Sequence, residues 1–455
     1  MENRKKRFLA VVLSFVLAFG MVTPGFAADG RGEWDGAGLP IATPSDLPQM
    51  EVQTASPAAL VVMPFSSRIV DISAVSDGDY YGNPVQWSFA GNRLTVYTDA
   101  NIEITGIGGP SRHIVVTGDS VVTLQDATML LDFGSNPAIL LEPGVNLSLN
   151  IQGINDFRGA GRPAIQFLSG ATVTIDGTGT LTATGGTGSA AIGSAAVGTI
   201  NIDGGIVTAI GLFGEGIGTG DGGTINITGG MVNAIGASNS AGIGGGSDGG
   251  TINISGGVVT ATSGGDGGGA GIGGGRGGSG GTILISGDAT VQATGGDGRP
   301  SLNHGGGAGI GGGGATTVLS GGSGGSVTIT GNANVTATGG NGSNEGYGGP
   351  GIGGGGATIG QPGGAPANYT HTGGTVNATG GTGADGQAPG IQRANQAPTI
   401  TTQPTNQIVT AGQKSIDHNP ICGVQQMILQ ATFCIIRLNA KSEYPTSTRF
   451  SMQTR

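Results

Sequence analysis

The sequence predicts an all-β chain wound as a parallel β-helix, a β-solenoid with Gly-rich corner loops. Three observations predict it: a phrase recurring about every 25 residues, aliphatics alternating within that phrase, and no segment with a helical period. Residues 222–234 read GGTINITGGMVNA and residues 249–261 read GGTINISGGVVTA. In T-I-N-I both Ile share one face, because side chains alternate along a strand. Ile225 with Ile227, Ile252 with Ile254, Ile283 with Ile285, and Val327 with Ile329 are therefore expected to point inward. After a Gly-Gly corner, Val232 with Ala234, Val259 with Ala261, and Val335 with Ala337 are expected to line a second wall.

A third wall comes from one Ile per copy: Ile114, Ile139, Ile165, Ile192, Ile217, Ile243, Ile272, Ile310, Ile352 and Ile391. Successive gaps are 25, 26, 27, 25, 26, 29, 38, 42 and 39. The variation has a location. From Thr199 to Ala209, Thr224 to Ala234 and Thr251 to Ala261 the step is ten, and it is eleven from Thr282 to Ala293 and from Ser326 to Ala337. Ala209 to Ile217 spans eight residues, whereas Ala293 to Ile310 spans seventeen. One arc keeps its length while corners grow, as expected when loop closure costs rise only with the logarithm of length. Stretches such as 339–366 hold so many Gly that their loops are expected to be mobile.

Before the repeats, the N-terminus reads MENRKKRFLAVVLSFVLAFGMVTPGFAADG. A basic start, a short apolar run from Phe8 to Val22, then Gly25 and Ala27 predict a secretory signal over 1–27. The chain is expected to be secreted or held at a bacterial cell surface, with no membrane insertion once the signal is removed. Residues 28–65 read as a linker or irregular segment, and 66–110 as a β cap holding Trp87, Phe89, Leu94, Val96 and Tyr97. The β-helix is expected over 111–395 and an altered tail over 396–455. Cys422 and Cys434 both lie in that tail, so the repeats are held together without disulfides.

Composition narrows the function. There are 99 Gly in 455 residues and a net charge of -10, with no Lys and six Arg between 101 and 395. Nucleic acid is thereby excluded as a partner, since phosphate binding needs clustered cations.

The phrases P-A-I…V-T-I-x-G-x-G-x-L-T-A and A-G-I-G-G-G…G-G-T-I-N-I-S-G-G-x-V-x-A, between about 100 and 392, resemble exported bacterial carbohydrate-binding-domain or β-helix surface proteins. That resemblance implies a right-handed parallel β-helix of the pectate-lyase type without the lyase's catalytic apparatus. QAPTITTQPTNQIVTAGQ at 396–413 resembles the opening of a bacterial immunoglobulin-like domain. The sequence then departs from that pattern, through a shifted reading frame or a short cap pairing Cys422 with Cys434.

Chemistry is sparse. His113, His304, His371 and His418 are scattered, none has a metal-ligand spacing, and His304 is expected in a solvent-exposed loop. No catalytic residues are assigned and no enzyme is expected; a degenerate polysaccharide lyase would have to use Asp156, Arg158 and Arg162. Asp221 and Asp248 occupy equivalent places, so stacking brings two carboxylates together, as a calcium site or as solvated turn residues. No other cofactor is expected. Asn201, Asn226 and Asn253 form an outward ladder with Thr224 and Thr251 beside it. Such a ladder stabilises stacked strands, or offers hydrogen bonds to a polysaccharide or cell-wall glycan. Ice is a further alternative for a regular Thr array. A structural stalk or adhesin spacer with no ligand of its own is the alternative from another class.

Overall fold

The computed structural model describes residues 68–393, apart from Phe133, Ala195 and Asp221. The expected signal and linker, the tail with both Cys, and Asp221 of the acidic pair therefore lie outside the described residues. Within them the chain is an all-β parallel β-helix, with one 19-stranded sheet and one 12-stranded sheet. The larger sheet carries two walls in alternation. Thr199–Ile202, Thr224–Ile227, Thr251–Ile254 and Thr282–Ile285 stack in parallel as the first wall. Ile206–Ile210, Met231–Ser238, Val258–Gly264 and Thr290–Thr294 stack as the second.

The smaller sheet is the Ile column. Ile114, Ile139, Ile165, Ile192, Ile217, Ile243, Ile272, Ile310 and Ile352 pair in that order, and a single bridge extends the column to Ile391. Ile227 and Ile254 are 0% exposed, as are Ile225, Ile252, Ile285 and Ile329. The expected inward aliphatics are therefore the observed ones in the repeated coils, while in the last coil Tyr369 and His371 take the inward register of Val327 and Ile329.

The segment expected as a cap has two parts. Tyr80–Tyr81, Trp87–Ala90 and Arg93–Val96 pair antiparallel. Arg93–Val96 then pairs in parallel with His113–Val116, and Ile69–Asp71 with Asn101–Gly108, so this segment already joins the stack. Trp87, Phe89, Leu94 and Val96 are buried, while Tyr97 stays 36% exposed.

The lining narrows along the axis. One inward column runs Met129, Phe157, Ala183, Ala209, Ala234, Ala261, Ala293 and Ala337. As that wall shrinks from Phe to Ala, the opposing third wall closes on it. Ala138, Ala164 and Ala191 precede the early anchors, but Gly216, Gly242, Gly271, Gly309 and Gly351 precede the later ones. At Gly309 a Cβ would lie 2.7 Å from Thr338 N and from Gly351 O, closer than carbon tolerates. The G-I-G phrase thus records a coil too narrow for a methyl group at that position.

The late Gly-rich loops differ from expectation. Most of their Gly are buried, and their backbones hydrogen-bond to one another. Gly296 N donates to Gly269 O, Gly307 N to Gly296 O, Gly340 N to Gly307 O, and Gly349 N to Gly340 O, all at 2.8–2.9 Å. Beyond the Ile column a second run links Gly278, Gly313, Gly322, Gly355 and Gly364 in the same way, at 2.7–3.0 Å. Outgoing and returning loop segments alternate in these runs, so each backbone satisfies its neighbour where no side chain intervenes. His304, expected at solvent, is caught in this layer and is 3% exposed, with Nδ1 lacking a partner. Abundant Gly does not mean an unsatisfied backbone here.

Candidate functional site

The polar ladder on the first wall is real and turned upon itself. Asn226 Nδ2 donates to Asn201 Oδ1 at 2.8 Å, and Asn253 Nδ2 to Asn226 Oδ1 at 2.9 Å. Asn201 Nδ2 closes the lower end on Thr174 Oγ1 at 3.0 Å. Leu284 takes the next place in register. Thr224 and Thr251 stack beside the ladder, half-buried. Each central amide already spends a donor and an acceptor on its neighbours, so this row binds coil to coil.

Of the acidic pair only Asp248 is described. It is exposed, its Oδ1 accepts from Gly250 N at 3.3 Å, and the next coil sets Ser279 against it. Ser279 in turn meets the Ser323 hydroxyl at 2.9 Å. Among the described residues no three His, Cys, Asp or Glu gather where a metal ion would sit. The sequence cluster Asp156, Arg158 and Arg162 is divided by the fold. Asp156 and Arg158 project outward from the second wall, and burial pushes the Asp156 carboxyl above the usual range. Arg162 stands at a corner, in a cleft.

That cleft, of about 570 Å³, runs along the Ile column over four successive coils. Arg162 and Gln166 flank Ile165, Ser189 and Ser194 flank Ile192, Glu215 precedes Ile217, and Ser247 follows Ile243. Gly193, Gly218 and Gly244 align in register along the same column. A Cβ on Gly193 or Gly244 would drive into the backbone of the coil above, so no side chain can fill this strip. Glu215 is half-buried; loss of solvent pushes its pKa up, and only its own backbone N–H opposes that. Arg162 lines the same cleft but does not hold it down.

The corner Gly211–Gly216 also contributes to a second cleft, of about 360 Å³, lined by Leu212, Phe213, Asn239, Asp266 and Arg299. Its backbone is pinned: Gly211 N donates to Ile235 O at 2.9 Å, Ala237 N to Gly214 O at 2.9 Å, and Ala191 N to Glu215 O at 3.0 Å. Pinning of this kind forces the intervening side chains outward. Phe213 is 64% exposed and Leu212 41%. Asn239, at φ 72°, receives Arg276 Nη1 on its Oδ1 at 2.9 Å. One short loop thus sets an apolar platform beside hydroxyl, amide, carboxylate and guanidinium groups.

Sequence reasoning did not find this corner. The available signal was GLFGEG at 211–216, which holds the sole aromatic among the corners between 185 and 309. Comparison with family models gives a Beta helix repeat at residues 173–196, 200–221, 225–247 and 252–276. No curated protein and no solved structure matches the chain. The matched repeats cover the coils around this corner, and they speak for the fold.

Proposed function

We propose that the protein is a non-catalytic, exported bacterial surface protein that holds polysaccharide or cell-wall glycan at the Gly211–Gly216 corner. The observation that carries this reading is Phe213, 64% exposed, in a cleft with Asn239, Asp266 and Arg299. A pyranose ring offers an apolar face rimmed by hydroxyls, which suits an aromatic platform edged with hydrogen-bonding groups. The neighbouring cleft, with Arg162, Gln166, Glu215 and three Ser, extends the polar surface along the chain path of an oligosaccharide. Both volumes fall in the range of small-ligand sites. Glycan-array screening and pull-down on insoluble polysaccharides, with and without calcium, test the proposal. Phe213→Ala should weaken binding to the arrayed oligosaccharides at least tenfold, about 1.4 kcal/mol, with an unchanged melting temperature. Equal binding by the variant, or no binding by the parent to any glycan, would defeat it, and the latter result would favour a ligand-free stalk.

A further inference from the structure

The second wall turns a different surface outward from the first. Its seven strands from Thr180–Thr184 to Thr375–Thr379 each present three outward residues, none of them fully buried. Pairing holds one register across all seven over these five positions. The outward set contains 12 Thr, four Asn or Gln and five aliphatics (Ile206, Ile210, Met231, Ile235 and Val258), making 21 positions without one charge. The first ionisable groups on this wall, Asp156 and Arg158, sit one coil earlier. Among the described residues, none of the 21 side chains makes a hydrogen bond to the protein, in contrast to the amide ladder next door. Polar side chains here are committed to nothing among the described residues.

Geometry then limits the partner. Strands stand about 4.7–4.9 Å apart, and alternate residues about 6.6–6.8 Å apart along each strand. The wall is therefore a two-dimensional lattice roughly 29 Å long, carrying methyl and hydroxyl groups at regular points. A folded protein partner is aperiodic, and interfaces of that kind centre on aromatic and Arg anchors, which are absent here. Nucleic acid would need cations. A water lattice would be met by hydroxyls alone, and the five aliphatics interrupt them. Packed neutral polysaccharide presents what this wall presents: C–H and hydroxyl groups repeating in two directions.

We infer that the second wall docks the face of an ordered, uncharged polysaccharide solid, separately from the corner that takes single chains. This rests on the glycan reading above, and it adds a second site of different shape. Thr methyls and the Ile206–Met231–Val258 row cover C–H surface, while Thr hydroxyls and the amides of Asn233, Gln292 and Asn334 bond sugar hydroxyls.

The test uses the full chain against crystalline cellulose, crystalline chitin and the swollen, amorphous form of each, with soluble oligosaccharides in parallel. The parent should be retained at least tenfold better on a crystalline form than on its amorphous counterpart. Thr208→Lys/Thr260→Lys places two charges on the outward wall and should lose that preference while keeping oligosaccharide binding and melting temperature. Thr260→Val, isosteric without the hydroxyl, should weaken retention partially and covers the case where the double variant fails to fold. Phe213→Ala should do the reverse, losing oligosaccharide and keeping the solid. Equal retention on both forms, or unchanged retention by both wall variants, overturns the inference while leaving the corner intact. Shaping of growing ice crystals that the wall variants abolish would overturn it in favour of ice. Failure of the parent on every solid and every oligosaccharide would instead remove the glycan reading itself.

Discussion

Gly340→Ala tests whether the late loops are a packed layer. Gly340 N donates to Gly307 O and its carbonyl accepts from Gly349 N, each at 2.8 Å. Its φ lies outside the positive range, so the backbone would accept Ala. Space would not, because the added Cβ falls well inside 3.0 Å of the Gly296 carbonyl, which is backbone and cannot swing away. Parting the loops breaks both hydrogen bonds and leaves buried groups unsatisfied, at about 1–3 kcal/mol each. Lower chain entropy of the unfolded state returns about 0.4–1 kcal/mol. The net cost expected is about 3 kcal/mol. Gly265→Ala is the control, since nothing lies within 4 Å of its Cβ and its φ is likewise permissive; it should be neutral or slightly stabilising. Urea unfolding, together with amide exchange at residue 340 and at Gly349, the two donors, reads both. If Gly340→Ala matches Gly265→Ala in stability and protection, the packed-layer argument is wrong.

Two further outcomes follow from single residues. Asn226→Ala breaks the bonds to Asn201 and Asn253 on a half-buried face, so a loss of about 1–2 kcal/mol in urea unfolding is expected, with glycan binding unaltered. His304 is buried, and loss of solvent, then Arg276 and Arg299, pull its pKa below 6.5. The unfolded chain then takes up a proton that the folded one refuses, so stability falls as pH drops below 6.5 and levels off below the folded pKa. His304→Asn should flatten that slope in melting curves recorded between pH 7 and the acid range, and an unchanged slope would contradict the burial argument.

Ten anchoring Ile and the T-I-N-I pairs were readable from sequence because each obeys a local rule that stacking simply repeats. Alternation placed Ile227 and Ile254 inside without reference to any distant residue. The candidate site obeys no such rule. Phe213 acquires meaning only beside Asn239, Asp266 and Arg299, and Glu215 only beside Arg162 and Ser247, partners brought together across several coils. The Gly layer was misread for a related reason. Its bonds run between main-chain atoms, and a residue with no side chain leaves no pattern of partners to read. The outward ranks of the second wall were legible in composition, but their freedom from internal hydrogen bonds required coordinates.

Constant register has a consequence for the molecule's length. Ile192, Ile217 and Ile243 occupy interchangeable places, and so do the strands that follow each of them. Excising residues 217–242 would bring Ile192 against Ile243 and Thr199 against Thr251 in the same strand register. Such a molecule can be shortened or heightened by whole storeys, like a spiral stair cut between landings, without redesigning what remains.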